Sequence, residues 1–197
     1  MLTLLVDMDA VLVDLLSVWL GRYNERRGTN FTANDITQWD IGKVIGDRSV
    51  YGILEEPGLY RDLPAFAPAV EVMREMSKLK RKGEKVFDIH IVTAAIAHPG
   101  IIPDKIHWLD TNMPFISRKN TNFVYRKQLI RGDAFIDDAP KNYEAWKKLN
   151  PHGVTATVTY RYNENNPVDI RGDDHNNQEQ AWGTIRRGLL ELAERGE

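Results

Sequence analysis

Four aspartates in two pairs, Asp7-Met8-Asp9 and Asp137-Asp138, are the residues of this chain best suited to chemistry. In an extended segment, positions i and i+2 project to the same side, so Asp7 and Asp9 face one space. One carboxylate can attack while its neighbour manages the proton. Asp7 as nucleophile would form a covalent intermediate and split a hard displacement into two easier ones. Asp9 would protonate the leaving oxygen and then deprotonate the attacking water, given a pKa raised toward working pH. Four carboxylates in a small volume raise one another's pKa unless something offsets them. The simplest offset is a divalent cation with a preference for oxygen. Mg²⁺ fits, because it is typically held by one or two carboxylates, waters and a substrate phosphate. An anionic substrate also needs amide donors and positive charge. Thr93 and the backbone N–H groups that follow it, beginning with Ala94, form a candidate anion site. Lys127, ten residues before Asp137, is a candidate mobile cation.

These residues sit at the ends of apolar runs, which is what positions them. Leu2 to Val6 is a short buried strand ending at Asp7, Phe87 to Val92 is another ending at Thr93, and Ala134-Phe135-Ile136 ends at Asp137-Asp138. Acids that merely begin helices as N-caps would explain one such aspartate, but two pairs at two strand ends need more. Helical spacing marks Leu12 to Tyr23 with Gly28 as a stop, a helix opened by Pro68 with Val70, Met73, Met76 and Leu79 on one face, and helices over Lys105–Leu109 and Asn142–Leu149. The final helix carries Trp182, Ile185, Leu189 and Leu192 on one face. The run Lys78 to Lys82 before Gly83 reads as the solvated, dipole-favoured end of the Pro68 helix. Asn122–Tyr125 reads as a weak strand, Val154–Tyr160 as a Val- and Thr-rich one, and Asn163–Asn177 as a polar loop. This alternation implies an α/β fold: a Rossmann-like parallel sheet with helices on both faces, with the ligand beyond the carboxyl ends of the strands. The stretch 15–67 reads as a small helical cap inserted after the first strand, leaving 1–14 and 68–197 as the core.

Composition removes several alternatives. The 197 residues include no cysteine, so there is no thiol nucleophile, disulfide framework or thiolate metal site. Twenty-eight acids face 26 Lys plus Arg, a balance unlike that of a dedicated nucleic-acid binder. No apolar run approaches the roughly 20 residues of a membrane span. The N-terminus lacks the basic region of a signal peptide, so a cytoplasmic protein is expected. His90 alternates with apolar residues and reads as a core or edge histidine. Trp19 and Trp182 read as core, and Asp173-Asp174-His175 as a solvated turn rather than a metal cluster.

The ordered set of motifs resembles the haloacid dehalogenase superfamily of phosphotransferases. Leu4-Leu5-Val6-Asp7-Met8-Asp9, Ile89-His90-Ile91-Val92-Thr93, Lys127 and Ala134-Phe135-Ile136-Asp137-Asp138 match its four motifs in order. One departure is Ala10, where the superfamily usually has glycine. Ala is harmless there unless the position needs a positive φ, and the expectation is that it does not. A closer resemblance is to the 5′(3′)-deoxyribonucleotidases, through Val6-Asp7-Met8-Asp9-Ala10-Val11-Leu12-Val13-Asp14, Leu63-Pro64, Lys105-Ile106-His107-Trp108, Phe135-Ile136-Asp137-Asp138 and Trp182. That resemblance implies Mg²⁺-dependent dephosphorylation of nucleoside monophosphates, often by a homodimer. It places Lys105 near the phosphate, and makes Asp7, the Asp9 carbonyl, and Asp137 or Asp138 the metal ligands.

A nucleobase needs a flat apolar slot, which aromatic residues supply by stacking. Of Phe31, Trp39, Tyr51 and Tyr60 in the inserted stretch, Trp39 and Tyr60 are the expected pocket walls. Arg126 is a further candidate for the phosphate. The alternatives are a phosphatase for another small phosphate, such as a sugar phosphate, and a catalytically silent nucleotide-binding module.

Overall fold

A computed structural model of the protein describes residues 1–95 and 100–195. Its centre is β1 (Leu2–Val6), a strand buried on both faces. Leu4 and Val6 point into the larger apolar cluster, while Leu5 points the other way, into a smaller one with Val92, Phe135, Tyr143 and Trp146. Two covered faces explain why the run is continuously apolar rather than alternating.

After β1 come α1 (Leu15–Arg27), α2 (Ile41–Ile45) and several 3₁₀ turns, followed by α3 (Ala67–Lys78). Asp14 caps α1 by accepting from the Ser17 N–H, and Gly28 closes it in the left-handed conformation. The basic run after α3 departs from expectation. The helix ends at Lys78, and β2 (Lys80–Arg81) and β3 (Glu84–Lys85) form a small hairpin. Lys82 and Gly83 both take positive φ, 51° and 86°. That pattern belongs to a tight hairpin turn whose twist matches its strands.

The chain then runs through β4 (Phe87–Thr93), α4 (Ile101–Asn112), β5 (Thr121–Phe123), β6 (Ala134–Ile136), α5 (Pro140–Leu149), β7 (Val154–Val158), β8 (Ile170–Gly172) and α6 (Gln178–Arg195). Six strands form one parallel sheet in the order β5-β4-β1-β6-β7-β8. The Rossmann-like α/β expectation is borne out. Three residues, β8, were missed inside the segment expected to be a polar loop. The strand order reverses at β1: the chain builds outward through β4 and β5, then returns to add β6, β7 and β8. Sheets of this kind bind ligands at such a switch point, beyond the carboxyl ends of the strands.

Three tryptophans behave as core residues with satisfied donors, whereas the buried Trp182 Nε1 has no partner among the described residues. Trp108 Nε1 donates to the Leu63 carbonyl at 2.8 Å, Trp146 Nε1 to Ile130 at 2.8 Å and Trp19 Nε1 to Val50 at 2.7 Å. Trp182 is fully buried. His90 is partly buried and pairs with Asp88 at 2.9 Å. Asp173 and Asp174 are exposed, as a solvated turn would be, but His175 is not: its ring stacks on Tyr160 at 4.5 Å. Among the described residues, no helix is long and apolar enough to cross a membrane.

Candidate active site

The sheet gathers the acids as its topology requires. Asp7 continues the β1 ladder by donating its N–H to the Ile136 carbonyl at 2.9 Å, and Asp137 continues β6 by donating to Ala156 at 3.1 Å. Asp7, Asp137 and Asp138 are all buried, with one carboxylate oxygen of each within 4.8 Å of the others. Lys127 stands between two of them. Its Nζ lies 2.7 Å from Asp7 Oδ2 and 2.7 Å from Asp137 Oδ2. Burial works against this ammonium, but Asp137 and Asp7 outweigh it and hold its pKa above the ordinary lysine value.

The oxygens of these carboxylates differ in what they already hold. Asp7 Oδ1 accepts the Met8 N–H at 2.7 Å. Asp137 Oδ1 accepts from the Ala139 N–H and Asn142 Nδ2, at 2.8 and 3.0 Å. Asp138 Oδ2 accepts the Tyr162 hydroxyl at 2.6 Å, whereas Asp138 Oδ1 is buried and has no partner among the described residues. Burial pushes the Asp137 carboxyl up to about 6 against the pull of Lys127, and pushes Asp138 well above its ordinary value, with the Asp137 and Asp7 charges adding to the effect.

Asp9 is tied to a second lysine. Fully buried Lys105, from α4, donates to Asp9 Oδ2 at 2.6 Å, to Thr93 Oγ1 at 2.7 Å and to the Ala94 carbonyl at 3.0 Å. Burial raises the Asp9 pKa, and the Lys105 ammonium opposes that rise. Asp9 Oδ1 remains buried and has no partner among the described residues. Thr93 is fully buried; its hydroxyl accepts from Lys105, so its own proton is directed elsewhere.

Ala10 departs from expectation. Its φ is +56°, so the position does require the left-handed conformation that glycine usually supplies. The loop is pinned around it: Leu12 and Val13 donate N–H groups to the Met8 carbonyl, Ala10 donates to Val13, and the Tyr160 hydroxyl donates to the Ala10 carbonyl at 2.9 Å. These bonds hold the strained residue in place.

A cavity of about 640 Å³ opens over the carboxyl edge of the sheet. Asp7, Asp9, Ala94, Lys127 and Asp138 line its floor, and Trp39, Tyr51, Tyr60 and Tyr162 line its walls. Trp39 and Tyr60 were expected here. Trp39 is 43% exposed, and Tyr60 is buried with Lys105 Nζ 4.9 Å from its ring centroid. Tyr51 lines the cavity too, but Phe31 packs against Tyr23 instead. Arg126 and Lys141 line the cavity from exposed positions, and Trp19 reaches it from the core. Tyr162 and Asn142 were missed. A usable signal for Tyr162 existed, since the loop after β7 opens on the same sheet edge as the acids.

Comparison with known proteins identifies the family. A family-wide profile described as "5′ nucleotidase, deoxy (Pyrimidine), cytosolic type C protein" matches residues 1–181. A 5′(3′)-deoxyribonucleotidase of Clostridium acetobutylicum is 34% identical over 148 residues, 74% of this chain and 77% of its own. One of Bacillus subtilis is 29% identical over 186 residues, 94% of this chain and 96% of its own. A putative 5′(3′)-deoxyribonucleotidase of Staphylococcus epidermidis is 30% identical over 169 residues, 85% of this chain and 89% of its own. The chain therefore belongs to the family described as 5′ nucleotidase, deoxy (Pyrimidine), cytosolic type C, and is a phosphoric monoester hydrolase.

Proposed function

We propose that this enzyme hydrolyses (deoxy)nucleoside monophosphates to nucleoside and phosphate through an aspartyl-phosphate on Asp7. The observation that carries the proposal is one cavity with paired carboxylates on its floor and aromatic rings, Trp39, Tyr51, Tyr60 and Tyr162 among them, in its walls. The curated relatives named as 5′(3′)-deoxyribonucleotidases support the same substrate class. Residues 15–67 act in this reading as a cap that supplies Trp39, Tyr51 and Tyr60, while the base lies between rings and the phosphate faces the sheet edge.

In the first step an Asp7 carboxylate oxygen attacks phosphorus and the bond to the leaving oxygen breaks. Asp9, protonated on its free Oδ1, gives that proton to the departing nucleoside oxygen. In the second step the Asp9 carboxylate takes a proton from water as the water oxygen attacks phosphorus, releasing phosphate and regenerating Asp7. Lys127 fixes Asp7 through Oδ2 and adds positive charge beside the phosphoryl oxygens. The Thr93 hydroxyl, polarised by Lys105, and the Ala94 N–H donate to those oxygens, and Lys105 holds Asp9 in position.

The donor set fits Mg²⁺. It is made wholly of oxygens, and Asp138 Oδ1 is a buried acceptor with nothing to accept. Asp7, the Asp9 carbonyl and Asp138 would hold the ion, with Asp137 fixing Lys127 and Asn142 behind them. When bound, Mg²⁺ offsets the carboxylate charge and draws electron density from the phosphoryl oxygens.

The test is phosphate release from a panel of deoxynucleoside and ribonucleoside monophosphates and ribose 5-phosphate, with and without Mg²⁺. Turnover that favours the nucleotides and requires Mg²⁺ is expected. Equal turnover of ribose 5-phosphate would remove the base from the account, and nucleotide binding without phosphate release would leave a silent binding module.

A further inference from the structure

Asp138 is held on all sides but one. The Tyr162 hydroxyl donates to Oδ2, Asn163 Nδ2 donates to the Asp138 carbonyl oxygen at 2.9 Å, and Oδ1 is buried without a partner among the described residues. Tyr162 is itself immobilised. Its ring stacks on Tyr160 at 5.1 Å between centroids and 8° between planes. Trp39 meets it edge-on at 5.4 Å and 73°. Tyr160 is in turn pinned by its bond to the Ala10 carbonyl. Neither the motifs nor the chemistry of the reacting atoms calls for a phenol at this point.

We propose that Tyr162 is a positioning residue that confines Asp138 to ligation through one oxygen, and that this confinement makes the metal site favour Mg²⁺ over Ca²⁺. The inference rests on the reading of Asp7, Asp9 and Asp138 as metal-binding groups. Ca²⁺ takes about six to eight oxygens and readily accepts both oxygens of one carboxylate, whereas Mg²⁺ demands a compact octahedron and takes carboxylates one oxygen at a time. Turning both Asp138 oxygens onto an ion would break a short, charge-assisted bond in a buried place and strand the phenol hydroxyl without a partner. The larger ion is thereby denied a ligand that it needs, and the smaller one loses nothing. Groups that orient a metal ligand commonly change metal affinity by about 10–100-fold when removed.

Tyr162→Phe keeps both ring contacts and deletes only the hydroxyl. The measurement is the affinity of wild type and variant for Mg²⁺ and for Ca²⁺, without substrate, by titration calorimetry. The ratio of the Ca²⁺ Kd to the Mg²⁺ Kd is expected to fall by about tenfold in the variant. A ratio unchanged within about twofold, whether both affinities hold or both fall together, would overturn the proposal. Tyr162→Met, read by the same ratio, serves if the phenylalanine variant does not fold. Failure of the wild type to bind Mg²⁺ at all would instead overturn the metal reading on which the proposal stands.

Discussion

Asp138 and Asp137 are adjacent in sequence and alike in burial, yet their surroundings give them different work. Both Asp137 oxygens are occupied by Lys127, Asn142 and a backbone N–H, while Asp138 keeps Oδ1 free. Asp138→Asn is expected to abolish the Mg²⁺-induced rise in Tm while leaving the metal-free fold intact, as checked by a thermal melt with and without Mg²⁺. Ala10 is the other residue whose surroundings matter more than its type. At φ +56° an alanine is strained by roughly 1 kcal/mol relative to glycine. Ala10→Gly is expected to raise stability by about 0.5–1 kcal/mol in a denaturant titration. The signal was the glycine usual at this position in the resembling superfamily, and the expectation that Ala10 needs no positive φ set it aside. The four aspartates, Thr93 and Lys127 were legible because each closes an apolar run or lies a fixed distance before one. Tyr162 was not read, because its one signal is its place in the loop after β7, on the sheet edge that carries the acids, rather than any spacing of its own.

Among the elements, the strands β1, β4 and β6 were readable from continuous apolar runs that end in polar residues. β8 was not, since only three residues pair and they lie inside a polar segment. The hairpin β2–β3 has two-residue strands made of lysine, arginine and glutamate, and composition alone favours a solvated helix end there. β8 nevertheless seats α6 closely. A Cβ at Gly172 would lie 2.8 Å from the Ala181 carbonyl oxygen and 3.0 Å from the Ala181 Cβ. Gly172→Ala is expected to lower stability by about 1–3 kcal/mol, measured by chemical denaturation. Trp39 belongs to the same scale, because it joins the inserted segment to the loop after β7 through its contact with Tyr162. Stacking a base on an aromatic ring is worth about 1–3 kcal/mol. Trp39→Ala is therefore expected to raise KM for nucleoside monophosphates by roughly tenfold, with kcat for ribose 5-phosphate little changed.

For the whole molecule, the concentrated acids make stability depend on pH and, in the proposed reading, on metal together. Asp137 is raised to about 6 from an ordinary value of 3.8, and Asp9 and Asp138 are raised as well. Between those two values the folded protein holds more protons than the unfolded chain. Metal-free stability is therefore fully supported below about pH 4 by these groups and declines as pH rises through about 6. Mg²⁺ competes with the same protons, so its stabilising effect should be small near pH 5 and large near pH 7.5, as melting curves across that range would show. The near-neutral total of 28 acids and 26 Lys plus Arg conceals this local imbalance. The absence of cysteine is consistent with a catalyst whose nucleophile is a carboxylate.

The central claim is that Asp7 carries the phosphoryl group during turnover. It is tested most directly by mixing the enzyme with a deoxynucleoside monophosphate and Mg²⁺, quenching in acid within the first turnover, and weighing the peptide that contains Asp7. The account predicts one added phosphoryl group on that peptide, absent in Asp7→Asn, which should also release no phosphate. Full turnover with no phosphorylated peptide, in an enzyme that remains active as Asp7→Asn, would contradict it.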